Sequence, residues 1–351
     1  MKIAYIIGPS LFTSTNGIRS QAITWADTLR MAGHNVTLID NWSVYNWKDF
    51  DVIHFFGSGG TWFYELAKNL YSSNQNLVWS PICDEISNPY FQRVKTFLSI
   101  PAIQLWGLPY IRRKSYQFFK GVFVRSDYES DFLQKAYKVD ASKIVKVPLG
   151  MSYNNETGFS EKEPFCFHLS SFTQQRKNVA RLIEAAKKYK FKLVIAGNPG
   201  DKQKYRKMKD AARGFDNIKI SGLLSEEEKI DLYKRAKVFA LPSINEGVGI
   251  VAIDAAHFGC DIVITNIGGP KEYYGQMALQ VDPYNVDNIG KTIAEAMNIS
   301  FQPRLKKHID LNFSHTVISK KLEKAYYEIT NYTPKNISEL QQPVFVENPA
   351  T

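Results

Sequence analysis

Two doubly wound α/β domains are the fold this sequence predicts. Three observations predict it. The chain has 351 residues, more than one compact core usually accommodates. Short, β-rich apolar runs alternate with longer helical patterns almost from end to end. That alternation also passes through two successive sets, divided by a polar stretch at residues 152–164.

The first set of strand candidates lies at 2–7, 36–39, 52–56, 77–80, 121–124 and 144–147. The second lies at 165–169, 192–196, 218–221, 238–241, 262–265 and 279–281. Their near-continuous apolarity is what parallel strands covered on both faces require. Helix signals fall between them. Gly33 follows a helical pattern at 22–32, where a C-cap glycine belongs, and Ser225 with Glu228 forms a capping box ahead of a helical stretch at 232–238. Pro148-Leu149-Gly150 turns the chain out of the sixth strand into the linker. These signals give an N-terminal domain at 1–152 and a C-terminal domain at 153–313. A final helix at 314–330 would pack back toward the N-terminal domain, followed by a polar, proline-punctuated tail at 331–351.

Composition excludes several classes. With 44% hydrophobic and 22% charged residues, the chain has apolar material for two cores and none to spare for membrane spans. The apolar run at the N-terminus stops within a handful of residues, and no small-residue cleavage site follows, so it reads as a buried first strand. Cys83, Cys166 and Cys260 are isolated, which fits reduced thiols and a cytoplasmic protein. The formal net charge of +10 attracts anions such as nucleotide phosphates or lipid headgroups, or serves solubility alone. The basic residues are dispersed and form no recognition motif, so no nucleic-acid partner is expected.

Open α/β sheets bind ligands beyond the carboxyl ends of their strands. Four loops there carry suitable chemistry. After the first strand come Gly8-Pro9-Ser10 and Ser14-Thr15-Asn16-Gly17, where Gly17 opens a helix to close approach by a phosphate or sugar; a structural turn is the competing reading. After the fourth strand, Cys83-Asp84-Glu85 places carboxylates at a cleft edge as acid, base or hydroxyl ligands, unless Asp84 is only a helix N-cap. After the first strand of the second set, Arg176 and Lys177 precede a helix at 179–188. Cations are unfavourable at a helix N-terminus unless an anion joins them, and a diphosphate would. The fourth loop, Pro242-Ser243-Ile244-Asn245-Glu246-Gly247-Val248-Gly249-Ile250, carries an acid and two glycines into an apolar helix whose one carboxylate is Asp254. A buried unpaired charge is costly, so Asp254 is expected to face the cleft or a ligand.

Together these residues resemble the retaining GT-B glycosyltransferases, the large bacterial family that includes sucrose synthases and the lipopolysaccharide and capsule transferases. The signature is an acid, seven residues and a second acid, here Glu246 and Asp254 within Pro242–Ala255. Gly268-Gly269-Pro270-Lys271-Glu272 is similar to the family's next loop. Ile53-His54, Ser126-Asp127-Tyr128-Glu129 and Val147-Pro148-Leu149-Gly150 are similar to its N-domain landmarks. The resemblance implies two Rossmann-like domains facing a central cleft, with a nucleotide-diphosphate sugar as substrate and a glycan or lipid-linked acceptor. In its terms Glu246 contacts the transferred sugar, and the N–H groups of Val248, Gly249 and Ile250 touch sugar and phosphate. Asp254 takes the ribose hydroxyls and Lys177 the diphosphate. Glu246, Asp84 and Lys177 form its catalytic set, and Gly17, Arg176 and Gly247 join the donor site. No metal or other cofactor is implied, since the cations do that work.

Three positions depart from the family pattern. Phe172 stands where an arginine usually precedes the lysine by five residues, Asp254 replaces a glutamate, and Cys83-Asp84 replaces a His-Asp pair. The alternatives to an active transferase are an accessory subunit with little turnover, or a sugar-nucleotide epimerase. Residues 97–120 mix Trp106, Tyr110, Tyr116, Phe118 and Phe119 with Arg112, Arg113, Lys114 and Lys120. Such a segment suits either a core helix with a solvated face or an anionic membrane surface at which the protein sits peripherally.

Overall fold

The computed structural model describes residues 1–8, 17–84, 87–98, 107–153, 158, 160–172 and 174–331. Pro9, Ser10, Ser14, Thr15, Asn16, Glu85, Trp106 and the tail from residue 332 therefore lie outside the described residues.

The first sheet is built from β1 (Lys2–Ile7), β2 (Asn35–Leu38), β3 (Val52–Phe56), β4 (Leu77–Ser80), β5 (Gly121–Val124) and β6 (Ile144–Lys146). The second is built from β7 (Glu163–Leu169), β8 (Lys192–Ala196), β9 (Ile218–Gly222), β10 (Ala236–Leu241), β11 (Asp261–Thr265) and β12 (Ala278–Val281). Every pairing is parallel. The strand orders are β2-β1-β3-β4-β5-β6 and β12-β11-β10-β7-β8-β9. Each expected strand lies on an observed one. The central strands β3, β4, β5 and β11 are buried at every position, which is why their sequences show no alternation. Order reverses between β1 and β3 in one sheet and between β7 and β10 in the other. At such points adjacent loops diverge and leave a crevice.

The crossover helices are α1 (Gly17–Met31), α2 (Thr61–Tyr71), α3 (Pro89–Lys95), α4 (Leu108–Ser115) and α5 (Asp127–Tyr137) in the first half. In the second they are α6 (Val179–Tyr189), α7 (Lys202–Ala212), α8 (Glu226–Arg235), α9 (Ile250–His257) and α10 (Val286–Ala296). The capping box of Ser225 and Glu228 is present in full. The helix it opens ends at Arg235 rather than reaching Val238. Lys234 and Arg235 close the last turn, where cations suit the helix dipole, and Ala236 already belongs to β10.

The chain ends in α11 (Arg304–Phe313) and α12 (His315–Thr330). The second crosses back onto α1 of the first half. Tyr326 Oη lies 3.0 Å from Tyr5 Oη and 2.6 Å from His54 Nδ1, and His54 Nε2 lies 2.9 Å from Ser80 Oγ. Burial holds the His54 imidazole well below its usual pKa, so it joins this row as a neutral link. His315 Nε2 also pairs with the Met151 carbonyl oxygen at 2.9 Å, fastening α12 to the linker.

Candidate functional site

The switch point of the second sheet gathers the charged loops. His168, fully buried near the end of β7, donates from Nδ1 to the Ala240 carbonyl of β10 at 2.8 Å. Its Nε2 meets Ser170 Oγ at 2.7 Å. Burial pushes its pKa down to about 4, so a neutral imidazole ties the two diverging strands together. Beyond β7 the chain makes one 3₁₀ turn, Gln175–Lys177, whose Arg176 carbonyl accepts the Ile244 N–H at 2.8 Å. That bond docks the cationic loop on the acidic one. Lys177 Nζ then donates to Glu246 Oε2 at 2.5 Å, and Ser243 Oγ donates to the same oxygen at 3.1 Å. Arg176 approaches the other oxygen at 3.8 Å. Lys177 and Glu246 are both buried, at 9% and 8% exposure. One carboxylate thus faces two cations, leaving an excess positive charge at the strand ends.

The backbone after Glu246 is shaped by two glycines. Gly249 caps α9 with φ of 77°, and an added Cβ would meet Leu241 Cδ2 at 2.7 Å, so both conformation and space demand glycine. A Cβ on Gly247 would collide with the Asp84 carboxylate, which arrives from the other sheet.

That carboxylate is held by its own network. Asp84 Oδ1 accepts from Arg125 at 2.7 Å, while Arg125 is 6% exposed and also donates through Nε to Glu129 Oε2 at 2.9 Å. Glu129 is buried and accepts the backbone N–H groups of Cys83 at 2.6 Å and Arg125 at 2.8 Å. Ile82, just before this pair, has φ of 53°, a rare conformation for a β-branched residue and one that persists where the surroundings over-determine it. The Asn245 side chain donates to the Asp84 carbonyl across the cleft. Glu272, also from the second half, accepts the N–H groups of Asp127 at 2.7 Å and Tyr128 at 3.0 Å, capping α5.

The expected site residues are therefore partly brought together. Glu246, Lys177 and Arg176 form one cluster, and Gly247 beside them meets Asp84 from the other sheet. The N-cap alternative for Asp84 falls, because α3 is capped by Asn88, which accepts Tyr90 N–H at 2.9 Å. Val248 is buried, Gly249 and Ile250 open α9, and Gly17 is the first residue of α1. Asp254 differs from expectation. It lies 4% exposed inside α9 and turns to the linker, accepting the Ser152 N–H at 2.7 Å, and burial pushes its pKa up to about 6. Phe172 is fully buried against Tyr205, at 5.8 Å between rings, so no cation reaches the cleft from that position. Arg112 is corrected too. It is 6% exposed and donates to Ser58 O at 2.7 Å and Tyr137 Oη at 2.8 Å, and Tyr116 and Phe119 lie in the core. Arg125 was missed. Its sequence signal was a cation directly after an apolar strand with an acid four residues on.

Among the described residues no helix is long and apolar enough to cross a membrane. Residues 152–310 match the family model described as "Glycosyl transferases group 1". That segment is similar to a group 1 glycosyltransferase domain. It is 24% identical over 315 residues to the 2-deoxystreptamine N-acetyl-D-glucosaminyltransferase of Niallia circulans, covering 82% of this chain and 77% of that one. In fold, this chain resembles the sucrose-phosphate synthase of Thermosynechococcus elongatus, with a TM-score of 0.72, 14% identity, and coverage of 94% and 100%. It also resembles the Anabaena protein HepE in complex with UDP, with a TM-score of 0.68, 12% identity, and coverage of 93% and 100%. These likenesses and the paired sheets make the architecture GT-B. The domain is of the kind that moves a sugar from a nucleotide sugar.

Proposed function

We propose that the chain is a retaining, metal-independent glycosyltransferase. It takes a sugar from a nucleotide-diphosphate donor and passes it to a glycan or lipid-linked acceptor, in cell-surface polysaccharide or glycolipid synthesis at the cytoplasmic face of a membrane. The observation that carries this reading is the switch-point cluster, with Glu246 between Lys177 and Arg176 and Asp84 facing Gly247. In the proposed reaction the bond from the anomeric carbon to the β-phosphate oxygen breaks, and its electron pair leaves with the diphosphate. The acceptor hydroxyl oxygen enters on the same face, and its proton passes to the departing diphosphate.

Each side of the cleft has a part in that step. Lys177 and Arg176 neutralise the charge that grows on the diphosphate, aided by the N-terminus of α9. Glu246 holds the hydroxyls of the transferred sugar, and the Asp84 carboxylate opposes the positive charge that develops on its ring. In this reading Asp254 takes the ribose hydroxyls, with the Ser152 N–H already on one of its oxygens.

Thermal shift against UDP, GDP, ADP, TDP and their sugars, followed by transfer assays, tests this reading. At least one nucleotide should raise the melting temperature. Glu246→Gln should keep the fold and reduce kcat by about 10²–10³-fold, as loss of one preorganised charge contact does elsewhere. Full activity in that variant would relocate the donor site. A chain that no nucleotide stabilises would fit the accessory-subunit alternative instead.

A further inference from the structure

The helix that follows Asp84 is built inside out. Tyr90, Phe91, Val94, Phe97 and Leu98 recur at helical spacing along α3 and the turn that continues it, and they are 61%, 60%, 57%, 59% and 65% exposed. The backbone stays helical to the end of that stripe, with Phe97 N–H donating to Val94 O at 3.0 Å and Leu98 N–H to Lys95 O at 3.2 Å. The inward face carries the polar residues. Gln92 is 6% exposed and donates to Tyr137 Oη at 3.0 Å, and Thr96 is fully buried. A helix whose only neighbour is water turns its apolar stripe inward, and contiguous exposed apolar surface marks a place where something else docks.

Charge identifies the occupant. Residues 87–120 contain six cations and no acid; Arg112 turns inward and Lys120 bonds Asn76, which leaves Arg93, Lys95, Arg113 and Lys114 for this face. Several stand over the aromatic rings. Lys95 Nζ is 4.6 Å from the Phe91 ring centroid, and the Arg113 guanidinium is 4.4 Å from that of Phe97. Aromatic rings with cations beside them suit the headgroup layer of a bilayer, where rings enter the acyl boundary and cations meet lipid phosphates. A second copy fits less well, because a two-fold contact would set this one-signed surface against itself. More apolar residues are exposed at the opposite edge of the sheet, beside β2. The loop after β2 presents Trp42 and Val44, 93% and 101% exposed, on a turn pinned by Asp40, which accepts Trp42 N–H at 2.8 Å and Ser43 N–H at 2.7 Å.

We infer that the outward face of α3 and its following turn is the surface by which this chain docks on an anionic phospholipid bilayer. The inference deepens the membrane part of the proposed function and rests on it. It replaces the segment at 97–120 with a surface centred on Phe91, Val94 and Phe97, in which Arg112 has no part.

The test is co-sedimentation of the full chain with vesicles of phosphatidylcholine alone and of phosphatidylcholine mixed with phosphatidylglycerol. The wild type should bind the mixed vesicles and bind neutral ones much more weakly, with affinity falling as salt rises. Phe91→Asp with Phe97→Asp should weaken binding about tenfold or more, the effect of withdrawing two rings from an apolar phase. Arg93→Glu with Lys95→Glu should abolish the preference for the anionic lipid. No binding by the wild type, equal binding to both compositions, or unchanged binding in either variant overturns the inference. So does a dimer seen by light scattering that the Phe91/Phe97 variant dissolves, or capture of an acidic protein without any lipid binding. Nucleotide thermal shifts run on the same variants separate the two readings. They should be unchanged, and their absence in the wild type would sink the transferase reading while leaving the vesicle result to stand.

Discussion

On the C-terminal side of the cleft, Glu246 sits between Lys177 and Arg176, whereas on the N-terminal side Arg125 sits between Asp84 and Glu129. The first cluster holds two cations against one carboxylate, and the second holds two carboxylates against one cation. Breaking a bond between a sugar and a diphosphate separates charge in just this sense, with the anion departing on one side and a cationic ring left on the other. The difference also divides the work. The cationic cluster keeps an excess charge at the strand ends, and in the proposed function a diphosphate meets it there. The anionic one is largely satisfied within the protein, since Glu129 already accepts Arg125 and two backbone N–H groups. Only Asp84, with a side chain 34% exposed, looks outward from it.

Removing the centre of the N-terminal cluster should have the largest effect on stability. Arg125→Met leaves Glu129 and Asp84 without their cation, and Glu129 is 1% exposed. An uncompensated buried carboxylate of this kind costs about 3–5 kcal/mol. Arg125→Met with Glu129→Met should recover most of that loss, because an apolar pair of similar volume carries no desolvation penalty. Urea unfolding of both variants reads the difference. Equal destabilisation by the single and double variants would mean that the network is no coupled unit. It would also remove the contrast between a satisfied cluster and a receptive one.

The two sides were not equally legible. The fold was readable because β3, β4, β5 and β11 are buried on both faces, so their composition alone marks parallel strands. The C-terminal cluster was readable because its groups are local. Arg176 and Lys177 are adjacent, and Glu246, Gly247 and Gly249 occupy one turn, so a single loop shows the chemistry. Arg125 acts on Asp84 across 41 residues, and only the fold makes them neighbours. Arg112 misled for the converse reason. In sequence it sits with Arg113 and Lys114, but the α4 helix turns it inward to Ser58 and Tyr137. Helical phase separates adjacent cations, and an apolar stripe at 90–98 is hard to see in sequence because the helix there is short and its inner face is polar.

Asp254 sharpens the comparison by a pH dependence. Burial raises its folded-state pKa from 3.8 to about 6, so the fold favours the neutral acid. Its stabilising contribution is therefore fully present below pH 3.8 and is lost as pH rises through about 6. A shift of about two units corresponds to about 3 kcal/mol. Asp254→Asn keeps an acceptor for the Ser152 N–H and carries no charge. It should be more stable than the wild type by up to about 3 kcal/mol at neutral pH, and the gap should close as pH falls toward 4. Urea midpoints of the two proteins across that range measure it. A gap independent of pH would show that Asp254 does not carry a buried charge, and would return it to the list of groups facing a ligand.

The smallest expected effect separates Arg176 from Lys177. Lys177 is buried, bonds Glu246 at 2.5 Å and lies on the short 3₁₀ turn that the Ile244 N–H anchors. Arg176 has a side chain 42% exposed, stands 3.8 Å from Glu246, and bonds the Asn245 carbonyl at 3.3 Å. A preorganised cation in a water-poor pocket stabilises a growing charge far better than a solvated one, whose Coulomb energy water screens. Lys177→Ala should therefore lower kcat by about 10²–10³-fold. Arg176→Ala should lower it by about fivefold or less, the range of an exposed ion pair. If Arg176 proves as important as Lys177, the arginine must swing onto the diphosphate when donor binds. It would then do the work that the resemblance places at position 172, where this chain buries Phe172 against Tyr205.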